Sequence, residues 1–338
     1  MIPEACKQLI GAGHSVFLER GAGVLSGYLD ENYAALGVTL MDGPAELYGT
    51  AQLIVKVKEP QASELALLTS DHRLFSFLHL AAEPELTRRL QAIGLTAVAF
   101  ETVEEDAGRL PLLTPMSDIA GRIATQVGTY LLHQSHGGKG LLLGGLPAAE
   151  RGRVVILGAG TAGGNAAVLA AAVGAEVVVF DINRDRLAAM RALGNNVTGL
   201  YAYEEAVARE VAAADLVIGA VLKTGARAPH VVNRKMIGNM QAGGVVIDIS
   251  VDQGGCMETT RPTSYDNPTY VEEGVIHFAV TNMPGAVPRS ASQALSAALL
   301  PYVLTLATPD WKTSKPLTRG INIEAGEVVH PALKETFA

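Results

Sequence analysis

The chain has 338 residues, 49% of them apolar and 18% charged, and a net charge of −8. That length suffices for two domains with well-buried cores, and the acidic balance argues against nucleic acid or an anionic membrane surface as partner. No apolar run nears the roughly 18 residues of a membrane span. The start, MIPEACKQL, lacks the basic stretch and apolar core of a signal peptide, and two cysteines, Cys6 and Cys256, fit a reducing cytosol rather than a disulfide framework.

Pro3 suits a helix first turn, and Ala5, Leu9, Ile10 and Ala12 carry that helix to Gly11 or Gly13. A helix as the first element is unusual for an α/β domain, where it normally joins two parallel strands. Ser15–Glu19 reads as a strand, and so do Leu53–Lys58 (closed by Glu59-Pro60), Leu74–His79 and Ala97–Glu101. Helical stretches such as Pro84–Ile93 lie between them, so residues 1 to 110 predict a first α/β domain with a mostly parallel sheet. Met116–Leu132 predicts a long connecting helix with Ser117 as candidate N-cap.

An apolar run, Val154–Leu157, then meets Gly158-Ala-Gly-Thr-Ala-Gly163, which opens into an Ala-rich helix and a second apolar run, Val177–Phe180, ending on Asp181. Gly158 permits the tight turn, Gly160 lets the backbone approach a pyrophosphate, and Gly163 lets helix and strand pack closely. The helix N-terminus offers free N–H groups to the phosphates. Asp181 follows Gly158 by 23 residues, near the roughly 20 expected of the carboxylate that holds the adenosine ribose. A carboxylate there repels a 2′-phosphate and favours NAD over NADP. The strand, loop, helix, strand and acid occur in the order this motif requires. Strands at Val197–Tyr201, Leu216–Val221, Val245–Ser250 and Ile276–Thr281 bring the count to six, which predicts a doubly wound sheet of order 3-2-1-4-5-6. Ser292–Ala307 reads as a second long helix returning the chain to the first domain, and the tail from Trp311 has no clear pattern.

Ligands of open α/β sheets bind beyond the carboxyl ends of the strands. Gly158, Asp181, Val221-Leu222, Asp252 and Asn282 pass that filter in the second domain, and Lys58, His79 and Glu101 pass it in the first. Two sheets facing across a cleft would bring the sets together. His79 is either a proton-transfer group or a core histidine with both nitrogens satisfied. The other seven histidines read as structural or solvent-facing, with His230, His277 and His330 lacking convergent partners. Lys58 can meet a substrate carboxylate or carbonyl or be a solvated strand-end charge, and Lys56 shares its parity. Asp252 lies in a Gly-rich loop, Asp248 reads as structural, and the Asn282 amide can meet the nicotinamide end of a cofactor.

The blocks Val55-Lys-Val-Lys-Glu-Pro60, Phe77-Leu-His-Leu-Ala-Ala82, Pro115-Met-Ser-Asp-Ile-Ala-Gly-Arg122, Gly158–Gly163, Asp248–Cys256 and Asn282-Met-Pro-Gly-Ala-Val-Pro288 resemble the alanine dehydrogenase and pyridine-nucleotide transhydrogenase family over nearly the whole chain. The resemblance implies a Rossmann-type doubly wound NAD domain (116–290) inserted in a second, catalytic α/β domain (1–115 and 291–338), joined by two long helices. It implies a catalytic pair, His79 and Asp252, and a substrate-binding lysine, Lys58. It implies cofactor contacts at Ser117, Thr161, Ala162, Asp181, Arg186, Val221, Leu222, Arg261, Val280, Thr281, Asn282 and Met283, beside the glycines Gly158, Gly160 and Gly163. The implied reaction is NAD-dependent interconversion of L-alanine with pyruvate and ammonia, in a cytoplasmic homohexamer. The alternatives are the NAD-binding part of a transhydrogenase and a catalytically impaired NAD-binding homologue. The family's opening strand, and a segment with a substrate-binding arginine, precede the helix that opens this sequence. A chain starting at Met1 is therefore expected to bind substrate weakly and to have a less stable first domain. The metal-ligand pair of some relatives is not evident near Thr305–Pro309, so no metal is expected.

Overall fold

The computed structural model describes residues 1–337. The chain divides into two compact units: Met1–Met116 with Thr224–Ala226 and the residues from Val287 onward, and Ser117–Lys223 with Arg227–Ala286.

In the first unit, β1 (Phe17–Glu19) and β2 (Thr39–Met41) form a two-stranded parallel sheet. Three further strands, β3 (Leu53–Val55), β4 (Arg73–Ser76) and β5 (Thr96–Ala99), pair in parallel. The helix Pro84–Ile93 buries Leu86, Thr87 and Leu90, and Leu86 and Leu90 pack with Leu74, Leu78 and Ala97 of the sheet side. The first predicted strand ends at Glu19 as expected, whereas β3, β4 and β5 end two to three residues early. The apolar side chains continue past Ser76, but His79 takes a left-handed backbone with φ of 48°, which no strand accommodates.

The second unit holds β6 (Arg153–Leu157), β7 (Glu176–Asp181), β8 (Val197–Tyr201), β9 (Leu216–Gly219), β10 (Val245–Asp248), β11 (Thr269–Glu272) and β12 (Val275–Phe278). They line up as β11-β12-β10-β9-β6-β7-β8. The six parallel members stand in the expected doubly wound order. The seventh, β11, was not foreseen: it runs antiparallel along the edge of β12. Alternate residues of these apolar strands serve opposite faces. Val154, Ile156, Val177, Val179, Leu216 and Ile218 share one core with Ala166, Ala167 and Ala170 of the helix Thr161–Ala172. Val155, Leu157, Val178, Phe180 and Val217 share the other with Val207 and Val211 of the helix Glu204–Ala212. Burial on both faces is why the strands read as unbroken apolar runs.

After the helix Pro288–Leu306 the chain contributes β13 (Ile321–Glu324) and β14 (Glu327–Val328) to the first unit, extending its sheet to the order β14-β13-β5-β4-β3. β13 pairs antiparallel with β5 and β14 antiparallel with β13, so the parallel first-domain sheet is completed from the unpatterned tail. The long helix Thr114–Leu131 begins three residues before Ser117, which therefore lies inside the first turn and is not its cap. No helix among the described residues is long and apolar enough to cross a membrane.

Candidate active site

The glycine loop is set by two close backbone approaches and one open face. Gly158 has φ of 98°, and a Cβ there would lie 2.5 Å from the Ala220 carbonyl oxygen. A Cβ on Gly163 would lie 1.8 Å from the Gly158 carbonyl oxygen, so the helix Thr161–Ala172 rests directly on the loop. A Cβ on Gly160 would meet nothing within 4 Å, which leaves that side of the loop open to a ligand. Gly160 is the N-cap residue and caps no N–H with a side chain. The first-turn N–H groups of this helix, at Thr161, Ala162 and Gly163, therefore present donors and a positive dipole end to the open side. The donors, the dipole and the open glycine face fit the diphosphate of a dinucleotide.

Asp181, at the end of β7, is buried. Its Oδ2 accepts the Ala159 N–H at 2.7 Å and its Oδ1 accepts the Asn183 N–H at 2.7 Å. Each oxygen keeps acceptor capacity, so the carboxylate can brace the loop and still take ribose hydroxyls. Arg186 sits 3.8 Å from Asp181 Oδ2 and is exposed. Ser117 lies one helical turn before Gly121, where a Cβ would come 2.1 Å from the Ala162 carbonyl oxygen. The same helix gives Asp118 to Asn165 at 2.8 Å and the Thr125 hydroxyl to the Ala166 carbonyl at 3.0 Å. Those contacts hold the Ser117 turn against the start of the glycine-loop helix.

The line continues along the carboxyl ends of the other strands. The Ser250 hydroxyl donates to the Val221 carbonyl at 2.7 Å, with Leu222 exposed beside it. Asp248 ends β10 and is fully buried. It accepts N–H groups from Ser250 at 2.9 Å and Cys256 at 2.8 Å. Burial raises its carboxyl pKa, as it raises that of the Cys256 thiol. Asp248 is thus the organiser of its loop, the structural role read from its position. Asp248→Ala is expected to destabilise this unit by about 3 kcal/mol, because the buried Cys256 N–H and the partly buried Ser250 N–H lose their acceptor; urea unfolding followed by circular dichroism measures it. Asp252 lies in the short helical turn Ile249–Gln253, beyond the strand predicted to reach Ser250. Its Oδ2 accepts the Asn282 N–H at 3.2 Å, and Asn282 has φ of 56°. The segment Val280–Met283 is anchored by the Thr281 N–H on the Thr263 carbonyl at 3.2 Å and the Tyr265 hydroxyl on the Met283 carbonyl at 2.6 Å.

In the first unit the two lysines separate. Lys56 ion-pairs with Glu64, which also accepts the Tyr48 hydroxyl at 3.1 Å, so Lys56 is part of the scaffold. Lys58 lies past the end of β3, half-buried, 3.6 Å from Glu59 Oε2. His79 is half-buried, its ring stacked parallel to Phe77 at 5.8 Å. Its N–H donates to Glu101 Oε1 at 2.6 Å, and its carbonyl accepts the Ala82 N–H at 2.9 Å. Glu101 is only 3% exposed and also accepts the Leu78 N–H at 3.3 Å. Each unit thus repeats one device: a carboxylate after one strand holds the backbone N–H of a left-handed residue after its neighbour. That device went unseen in the sequence, although Glu101 and Asp252 were both marked by the strand-end rule.

Residues 1–120 match the family profile "Alanine dehydrogenase/PNT, N-terminal domain" and residues 124–331 match "Alanine dehydrogenase/PNT, C-terminal domain". The chain belongs to the alanine dehydrogenase/PNT family. An alanine dehydrogenase of Halomonas elongata is 42% identical, covering 100% of this chain and 92% of the relative. A solved L-alanine dehydrogenase is 45% identical with a TM-score of 0.90, covering 100% of this chain and 94% of that one. A transhydrogenase from Sinorhizobium meliloti is more distant, 26% identical with a TM-score of 0.80, covering 97% of this chain and 94% of that one. Within this alanine dehydrogenase/PNT chain one sequence reading needs correction. His277 does have convergent partners: Thr259 Oγ1 at 2.8 Å, the Val275 carbonyl at 3.0 Å and the Tyr270 ring. Tyr270 and His277 face each other across a hairpin turned at Glu273-Gly274, and that turn was the available signal.

Proposed function

We propose that the chain interconverts L-alanine with pyruvate and ammonia, using NAD, as a cytoplasmic homohexamer. The observation that carries this reading is the likeness to an L-alanine dehydrogenase over the full chain, at 45% identity and a TM-score of 0.90. The more distant transhydrogenase, at 26% identity, supports the fold more than the reaction.

NAD, when bound, supplies the hydride acceptor. It would be held by Gly158, Gly160 and the donors of Thr161–Gly163, by Asp181 at the ribose and by Val280–Met283, with Ser117, Arg186, Val221, Leu222 and Arg261 as further contacts. Lys58 holds the substrate carboxylate or carbonyl. A cation at that oxygen stabilises the charge that grows on it. His79 takes and returns the proton as water adds to iminopyruvate and as the carbinolamine expels ammonia. Asp252 orients the ammonium or the water and stabilises the cationic imine. Alanine-dependent formation of NADH by the purified protein is the expected result, with ammonia released in equal amount. NAD binding without any such turnover would reject this reading in favour of a transhydrogenase-like or impaired homologue.

A further inference from the structure

We propose that Tyr270 and His277 are positioning residues that hold Arg261 in place for the dinucleotide. This rests on the reading of Arg261 as a cofactor contact and deepens it. Three side chains form a graded pile from the core outward. His277 is 1% exposed. Tyr270 stacks on it with centroids 5.0 Å apart and planes 19° apart. The Arg261 guanidinium carbon lies 3.9 Å from the Tyr270 ring centroid, and since the imidazole covers one face of that ring, the guanidinium takes the other.

The pile is also pinned by hydrogen bonds. The Tyr270 hydroxyl donates to the Thr259 carbonyl at 2.8 Å and accepts the Arg261 N–H at 2.9 Å. One hydroxyl therefore fixes the backbone on both sides of Thr260. A carbonyl can only accept, so His277 Nδ1 carries the hydrogen toward Val275, and Nε2 accepts from the Thr259 hydroxyl. The imidazole is then neutral with both nitrogens occupied, and burial lowers its pKa, which agrees. A neutral ring beneath the tyrosine leaves the tyrosine's outer face negative, the face a guanidinium prefers.

The architecture has a purpose for this pile. β11 is the one strand outside the six-strand dinucleotide plan, and its register sets Tyr270 directly opposite His277. Two residues beyond Arg261, Thr263 bridges to Val280, the start of the other cofactor segment on this side of the sheet. An exposed arginine on a loop samples many rotamers, and ordering it on binding costs affinity. Stacking it on a ring that is itself stacked on a buried histidine places that ordering in the fold. A guanidinium has donors only, so what it meets on the dinucleotide is a phosphate or hydroxyl oxygen.

The test is NADH affinity, read by fluorescence titration of purified protein without turnover. Arg261→Ala is expected to weaken binding about tenfold, within the range of a well-placed cation contact. Tyr270→Ala is expected to match it within about threefold, and Tyr270→Phe, which keeps the ring and loses the hydroxyl, to fall between. The double variant Arg261→Ala/Tyr270→Ala is expected to bind no more weakly than Arg261→Ala alone, since both changes remove one function. The KM for NAD is expected to rise while kcat at saturation holds. Multiplying losses in the double variant, or Tyr270 variants that bind normally while Arg261→Ala does not, would overturn the proposal. Unchanged affinity in Arg261→Ala would instead overturn the cofactor contact on which it rests. Should Tyr270→Ala fail to fold, Tyr270→Phe decides the matter: native affinity in that variant and in His277→Gln together counts against the proposal.

Discussion

Replacing His79 with alanine is expected to cut the rate of alanine oxidation by about 10²–10⁴, the range supplied by a positioned acid–base group, while NADH still binds. The local structure is the reason to expect a large effect. A non-glycine residue at φ of 48° is costly to keep. The chain keeps it by donating the His79 N–H to Glu101 at 2.6 Å and by closing a turn onto the Ala82 N–H. A buried carboxylate is itself costly unless hydrogen-bonded, and Glu101 spends its charge on two backbone amides at His79 and Leu78. Nothing in sheet packing requires that arrangement, since β4 already ends at Ser76. Strain held in place by a buried charge, with an imidazole at its tip stacked on Phe77, is what a catalytic histidine needs. His79→Ala with most of the native rate would end this assignment, and steady-state kinetics of NADH formation is the measurement.

The sheet order of the second unit was legible because its strands are buried on both faces. Val154–Leu157 and Val177–Phe180 are apolar without a break, and glycine or an acid marks where each ends. The strand ends were less legible. Phe77-Leu78 and Ile249-Ser250 continue the β pattern in side-chain type, but the backbone is diverted at Leu78 by a hydrogen bond to Glu101, which arrives from the next strand's end, and at Ser250 by a local turn onto the Asp248 carboxylate two residues before it. Two- to four-residue strands such as β2, β13 and β14 carry too few positions for a period to show. His277 was misread for a related reason. Its hydroxyl partner lies 18 residues earlier and its ring partner across a hairpin, so neither is near it in sequence. The candidate site was legible to the extent that it follows one rule, ligands beyond carboxyl strand ends. That rule marked Lys58, His79, Glu101, Asp181, Asp252 and Asn282, and Asp181, Asp252 and Asn282 stand on the line of contacts that borders the glycine loop.

The glycine loop allows one pair of substitutions to separate folding from binding. At Gly163 the added methyl would stand 1.8 Å from the Gly158 carbonyl oxygen and 3.2 Å from Ile156 Cγ2. The first of these is backbone and cannot swing aside. The helix Thr161–Ala172 would have to lift from β6, losing the alanine contacts of Ala166 and Ala170 beneath it. Gly163→Ala is therefore expected to lower stability by about 3 kcal/mol and to abolish measurable NADH binding. Gly160 has the opposite surroundings. Its φ of −72° suits any residue, and its added methyl would meet no protein atom within 4 Å. Gly160→Ala is expected to melt like the parent protein, yet to bind NADH at least about tenfold more weakly, because the methyl takes the space the diphosphate needs. Thermal melting without nucleotide, paired with NADH titration, reads both quantities for each variant. A Gly160→Ala protein that binds NADH normally would mean that the open side of the loop does not hold the diphosphate. The same loss of stability in both variants would mean that Gly160 faces protein and not ligand.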